Sequence, residues 1–558
     1  MLIVQVIRVN YVPVFSDEVS SYFRYISRAQ WDPYYKLNSN NHVLNTWLEI
    51  VATFLFGTSN FTLRLANLVA FGGFLCLSFF HFRQKNVVVW ITSILLLSAN
   101  YYFFSLFGLA RGYGISFFWF LFTYVSLDRY HRNAQIKWVY AAFLGIGLMC
   151  WANMGLIPFS LAFIGIGLLE ASKNNALRNY RIYLSLLPYL IAIHFAFLLK
   201  INGHLYHGDS FGYYQTLIKK LPEEFGLFDH SIRIWTLSLL ALTILAGLLF
   251  WKKTSHLFKV TLILLLWGFV SPALLHWTFG VNYPLDRAAA HLYIPVILYV
   301  LLVSKEIIWF RYWVPGLLLV FNLNDFYSDF NLEDSPHWQS EHVPSYFIDT
   351  LARQSKGNPR IPSIEMHGLQ GRSWDFQVFL KKEKIFQTDC FYSRSCSDYL
   401  LISQWQMEID TTGYQRILTN KSKNLFLFKR TDTPTFVQTI KVPISKINRL
   451  LEKGYFVLDS NLLQNDLQLI VKAYPDVVPV PANSRLGLII QDGEGEKECV
   501  VNLDRQQRNP DYYLLNQSFP AGSIGQDSIQ VFMNGPVNYG PHQIQVDIYR
   551  YSVNKKFR

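Results

Sequence analysis

Between residues 61 and 323 the chain runs through one apolar stretch after another, separated only by short polar breaks. The stretches lie near 61–82, 86–108, 112–128, 138–151, 154–170, 182–199, 233–251, 258–279, 288–303 and 313–323. A helix needs about 20 apolar residues to cross roughly 30 Å of hydrocarbon, and several of these reach that length. The pair 138–151 and 154–170 is shorter, and is compatible with two thin helices or one broken one. The pattern predicts a polytopic α-helical membrane protein of about 10–11 transmembrane helices and excludes a single soluble enzyme. The aromatic and aliphatic content, with 51% of residues apolar, excludes a disordered chain.

Charge follows the same division. Residues 1–323 hold 24 Lys/Arg against 12 Asp/Glu, whereas residues 324–558 hold 26 of each. The basic residues punctuate apolar runs instead of gathering on a polar module, which argues against a nucleic-acid partner. They also orient the chain, because cationic short loops stay in the cytoplasm. Arg83/Lys85, Arg129/Arg132/Lys137, Lys173/Arg178/Arg181, Lys252/Lys253/Lys259 and Lys305/Arg311 fall at every second break. The alternate loops, 15–60, 108–112, 152–153, 200–232 and 280–287, are then expected outside, together with everything after 323.

Residues 1–14 are apolar apart from Arg8 and span about 21 Å as a helix, short of a full crossing. They lack the basic start and small-residue cleavage site of a signal peptide, and are read as a first transmembrane helix whose beginning is missing. After 323 the composition changes. Residues 324–431 are expected to form an extracytoplasmic α/β domain containing the strands 398–402 and 424–430. Residues 432–558, with short alternating strands between turn residues, are expected to form a β-sandwich-like domain. Cys390 and Cys396 flank a short polar segment there and are candidates for a disulfide, which an exterior location permits. Paired aromatics such as Tyr512 and Tyr513 suit either carbohydrate contact or a structural cap.

The acids Asp17 and Glu18 stand immediately after the first helix. Tyr22, Arg24, Tyr25 and Arg28 follow at helical spacing, so this segment is expected to lie along the bilayer surface, with a second such helix from Asn45 to Phe56. An acid pair can simply start a helix, favoured by the macrodipole with Ser16 as N-cap. Arg111 can snorkel from a helix end, Arg287 can pair with Asp286 or Glu18, and His42 can cap a helix or bond a carbonyl. Arg64 is expected to be a surface anchor. Against these readings, Asp17, Glu18, His42, Arg111 and Arg287 all fall at one predicted membrane boundary. A carboxylate can take a proton from a hydroxyl there, and guanidinium forks can hold phosphate. No metal-ligand spacing or phosphate loop stands out.

The order of these residues resembles the GT-C superfamily of integral-membrane glycosyltransferases, which includes protein O-mannosyltransferases and the lipid A aminoarabinose and galacturonosyl transferases. The matching residues are Asp17-Glu18, Asn41-His42, Phe56-Gly57 and Phe61-Thr62-Leu63-Arg64-Leu65, then Ala110-Arg111-Gly112-Tyr113 and Tyr283-Pro284-Leu285-Asp286-Arg287. The likeness covers about residues 1–323 and departs at His42-Val43, where many relatives have Pro-Pro or His-Pro. The resemblance implies an inverting transferase acting outside the membrane on a polyprenyl-phosphate-linked sugar, with a glycolipid, polysaccharide or protein acceptor. Asp17 and Glu18 would be the catalytic acids, and His42, Arg111, Tyr113 and Arg287 would contact substrate. No organic cofactor is implied, and a divalent metal is left open. Two other classes compete: a transporter or flippase, and an inactive scaffold of a polysaccharide assembly complex. The spans carry little midplane charge apart from His194, which favours chemistry at one face over passage.

Overall fold

The structure, a computed structural model, describes residues 1–35, 38, 41–83, 87–201, 212–216, 241, 244–245, 247–248, 254–284, 286–306, 313–333, 343–356, 362–366, 368–381, 383, 386–388, 397–403, 411, 413–420, 425–432, 435–442, 454–456, 467–475, 485–492, 495–502, 513–519, 529–534 and 541–550. It falls into two units, Met1–Trp338 and Gln339–Arg558. The expected Cys390–Cys396 bridge, Tyr512, most of the 200–232 loop and most of the 233–251 span lie outside the described residues.

The first unit is helical. Its elements are α1 (Leu2–Tyr11), α2 (Ser16–Ser21), α3 (Val43–Phe56), α4 (Asn60–His81), α5 (Val87–Ser98), α6 (Tyr101–Leu106), α7 (Tyr113–Asn133), α8 (Lys137–Ala152), α9 (Ile157–Lys173), α10 (Arg181–Ser185), α11 (Leu187–Ile201), α12 (His256–Phe279), α13 (Tyr293–Glu306) and α14 (Trp313–Asp329). Among the described residues, three helices are long and apolar enough to cross a membrane: Asn60–His81, Met154–Lys173 and His256–Phe279, of 22, 20 and 24 residues. Their flanks carry large exposed apolar side chains, including Val69, Phe80 and Trp277. Large apolar side chains so exposed are costly in water and normal against lipid.

Local chemistry decides where the long apolar stretches break. The 86–108 stretch is two helices, because the Asn100 side chain accepts from the Phe103 N–H at 2.8 Å and starts a new helix there. The pair 138–151 and 154–170 is likewise two helices. Asn153 leaves the helical conformation, accepts from the Gly155 N–H at 3.0 Å, and Pro158 occupies the first turn of α9. Ser59 caps α4 and Ser255 caps α12 in the same way. The core is aromatic, with Phe103 stacked on Phe117 at 4.6 Å and on Tyr293 at 4.7 Å. Buried hydroxyls and amides tie helices together: Tyr124 to Thr261 at 2.8 Å, and Asn322 to the Tyr293 hydroxyl at 3.0 Å.

The segment after α1 differs from the expected surface helix. α2 is only six residues long and passes into a π-helical turn, Tyr22–Ile26, whose Tyr22, Tyr25 and Ile26 are buried. The tyrosines therefore face protein.

The second unit contains α15 (Ser345–Ser355) and α16 (Gly368–Lys381), with strands β1 (Ser363–Glu365), β2 (Phe386–Thr388), β3 (Tyr399–Ser403), β4 (Tyr414–Asn420) and β5 (Leu425–Arg430). These strands form one mixed sheet in the order β2-β1-β3-β5-β4. Phe347, Leu351, Trp374, Leu401 and Leu427 make its core. The later strands are β6 (Thr435–Val442), β7 (Gly454–Phe456), β8 (Leu467–Pro475), β9 (Arg485–Asp492), β10 (Gly495–Asn502), β11 (Tyr513–Phe519), β12 (Ile529–Asn534) and β13 (Pro541–Arg550). They form two four-stranded antiparallel sheets, β10-β9-β12-β7 and β11-β8-β13-β6.

Candidate active site

Successive residues of a helix point about 100° apart. At the start of α2 this sends Asp17 and Glu18 into different surroundings. Glu18 turns inward and is 1% exposed. Its carboxylate accepts from the Phe15 N–H at 3.2 Å, which closes the first turn, and from the Ala110 N–H. It also receives Arg64 Nε at 3.0 Å and Arg64 Nη2 at 2.7 Å.

Arg64 is fully buried and is not the surface anchor expected of it. Its remaining N–H groups reach the carbonyls of Val9 at 3.3 Å, Val12 at 2.6 Å and Pro13 at 3.0 Å. All five guanidinium donors are thereby used. This buried pair pins the end of α1, the start of α2, α4 and the 108–112 segment to one another. Glu18 was expected to share catalysis with Asp17, but its oxygens are committed to this brace and shielded from any substrate.

Asp17 faces the other way and keeps an 18% exposed side chain. Arg287 Nη2 lies 2.8 Å from its Oδ2, and Arg111 Nη2 lies 3.9 Å from the same oxygen. The two arginines differ in setting. Arg111 is buried, donating to Ser21 Oγ at 3.1 Å, while Arg287 sits in a short 3-10 turn and is 31% exposed. Ser21 Oγ in turn donates to the Asp17 carbonyl at 3.0 Å. Arg287 thus pairs with a residue 270 positions earlier in the chain.

His42 and Tyr113 complete the cluster. His42 Nδ1 is 2.7 Å from the Ala152 carbonyl oxygen, which can only accept, so this nitrogen carries the proton. Its ring meets Tyr113 edge-on at 5.0 Å, and Tyr113 lies near enough to Arg287 to act on it electrostatically. Burial first, and then the Arg111 charge, push the imidazole pKa down to about 3, so it is neutral at physiological pH. Gly112 makes this approach possible, because a Cβ there would land on the Ala152 carbonyl and 2.8 Å from His42 Nδ1. The structure thus brings Asp17, His42, Arg111, Tyr113 and Arg287 together and turns Glu18 away.

Sequence reasoning missed the polar layer behind these residues. Asn67 donates to Asn45 at 2.8 Å, and Asn45 donates to Glu49 at 2.8 Å. Burial pushes the Glu49 carboxyl well above the usual carboxylate range. The Asn45/Glu49 spacing of four on an otherwise apolar helix was the available signal.

Over most of its length the chain has distant structural likenesses among solved proteins, each of those named below with a TM-score under 0.5. It resembles ArnT from Cupriavidus metallidurans bound to undecaprenyl phosphate, with 10% identity, 76% of this chain and 96% of that chain covered, and a TM-score of 0.47. It also resembles arabinosyltransferase EmbB from Mycobacterium smegmatis, with 11% identity, all of this chain and 64% of that chain covered, and a TM-score of 0.36. The Archaeoglobus fulgidus oligosaccharyltransferase, in complex with Zn and sulfate, matches with 10% identity, 97% and 96% coverage, and a TM-score of 0.36. No family model matches the sequence, and no curated protein matches it.

Proposed function

We propose that this chain is an inverting membrane glycosyltransferase that moves a sugar from a polyprenyl-phosphate carrier to a hydroxyl-bearing acceptor on the extracytoplasmic side. The observation that carries the reading is the placement of Asp17, a partly open carboxylate between one buried and one half-exposed arginine. In the proposed reaction the acceptor oxygen attacks the anomeric carbon as Asp17 takes its proton. The bond from that carbon to the phosphate oxygen breaks, and the lipid phosphate leaves with the electron pair and an added negative charge. Arg287 and Arg111 hold that charge, which suits the planar fork of a guanidinium. The donor phosphate competes with Asp17 for Arg287, so its arrival releases the carboxylate for proton transfer. Neutral His42 has a lone pair on Nε2 that can accept from a sugar hydroxyl, and Tyr113 orients Arg287.

The test is transfer from a panel of radiolabelled polyprenyl-phosphate hexoses and pentoses by membranes carrying the wild-type chain or Asp17→Asn. Loss of a general base is expected to cost about 10²–10⁴-fold in turnover. A variant working at near wild-type rate would remove Asp17 from the mechanism. Reporters fused after residue 323 that appear in the cytoplasm would place the chemistry on the wrong side.

A further inference from the structure

A second constellation of chemically capable side chains stands at the opposite end of the same helices. His131 lies about 27 Å along α7 from Tyr113, and Glu170 lies about 20 Å along α9 from Ile157, near the Ala152 carbonyl that bonds His42. His256 opens α12. Candidate ligand atoms of His131, Glu170 and His256 all lie within 4.8 Å of one another.

The separations, which are also those of hydrogen bonds, lie near those a metal ion would impose. His131 Nδ1 is 2.9 Å from Glu170 Oε2, and His256 Nε2 is 3.2 Å from Glu170 Oε1. An ion with bonds of about 2.0–2.1 Å holds neighbouring ligand atoms roughly 3.0–3.4 Å apart. The two imidazole rings lie face to face, 3.5 Å between centroids and 5° from parallel. Imidazole lone pairs lie in the ring planes, so an ion held by both residues requires one ring to turn about its Cβ–Cγ bond. The carboxylate is buried, while the His131 side chain is 38% exposed, giving an ion a route in. Lys173 Nζ contacts Glu170 Oε1, but its side chain is 62% exposed and can swing into solvent when a dication takes its place.

We propose that His131, Glu170 and His256 form a binding site for a divalent transition-metal ion of the zinc type, which staples the ends of α7, α9 and α12 on the side away from Asp17. Two imidazoles and one carboxylate are a borderline nitrogen-oxygen set that suits zinc better than magnesium or calcium. Water would complete the coordination. The inference does not depend on the reading of the Asp17 cluster.

The experiment uses the full chain in detergent, stripped with a chelator and titrated with Co(II), followed by the visible d–d absorption and by displacement with Zn(II). The expected result is one tightly held equivalent in the wild type. The His131→Ala/His256→Ala pair should weaken binding by more than the roughly 10–100-fold that loss of a supporting contact costs. Lys173→Met should bind at least as tightly as the wild type. His131→Cys should keep the site and add a thiolate-to-cobalt charge-transfer band, a readout that a misfolded chain would not produce. A wild-type chain with no stoichiometric cobalt spectrum overturns the proposal. So does an unchanged affinity in the double variant, or a His131→Cys chain that binds cobalt without the new band.

Discussion

Replacing Glu18 with glutamine changes one atom and one charge in the most enclosed part of the molecule. The carboxylate takes donors on both oxygens: Arg64 Nη2 and Phe15 N on one, Arg64 Nε and Ala110 N on the other. An amide keeps one acceptor and turns the other atom into a donor. Whichever way it is rotated, an NH₂ group faces two N–H groups. The guanidinium of Arg64, fully buried, is left with three backbone carbonyls, one amide oxygen and no counter-charge. Breaking a buried pair from one side costs about 3–5 kcal/mol, because the remaining charge has lost its compensation. That corresponds to a change of roughly 10²–10³-fold or more in the folding equilibrium.

The assay is unfolding in detergent followed by near-ultraviolet circular dichroism, which reads the packed aromatic core directly. Glu18→Gln should be destabilised by that amount. Adding Arg64→Met, which removes the stranded charge, should recover part of it, with a coupling energy of about 1–3 kcal/mol. A single variant within about 1 kcal/mol of wild type, or a double variant whose losses simply add, would refute the brace.

Gly112→Ala should destabilise the chain by about 1–3 kcal/mol in the same assay, because the added methyl has to displace the Ala152 carbonyl or His42. Stability should also fall with acid through His42. The folded chain holds this imidazole at about 3 against 6.5 when unfolded, so below pH 6.5 the unfolded state takes up a proton that the folded state refuses. The loss accumulates from 6.5 down toward 3, at up to about 1.4 kcal/mol per pH unit. His42→Gln should flatten that slope, and equal slopes in the two chains between pH 4 and 6.5 would show that the shift is absent.

The apolar stretches located the helices of the first unit well, since hydrocarbon-length runs have few other solutions. Their breaks were harder to see. A capping asparagine in the middle of 86–108 looks like a tolerated polar residue until its side chain is found on the Phe103 N–H. Asp17 and Glu18 looked equivalent because adjacency hides a rotation of about 100°. Arg64 was misread for a related reason. An arginine at the start of an apolar helix resembles an anchor, and its partner lies 46 residues earlier with no periodicity to announce it. The convergence of Asp17, Arg111 and Arg287 was legible only as a shared boundary, which is a weaker statement than a contact. The His131, Glu170 and His256 cluster left no local pattern at all, since its members come from three different helices.

The brace and the open carboxylate are parts of one device. Glu18 is the neighbour of Asp17, and it holds the N–H of Ala110, the neighbour of Arg111. A single buried carboxylate therefore sets the position of both Asp17 and the arginine behind it, on backbone that Arg64 ties to the end of α1. Arg287 belongs to none of this. It arrives from a short turn ahead of α13 and stays partly exposed. Ion pairs in such a setting are weak and easily exchanged, whereas a buried, fully bonded pair is not. In the proposed reaction this asymmetry assigns the order of events: a donor phosphate first takes Arg287, the loosely held partner. Asp17 and Arg111 stay where Glu18 keeps them. The carboxylate is thus freed toward the acceptor without the site having to be rebuilt.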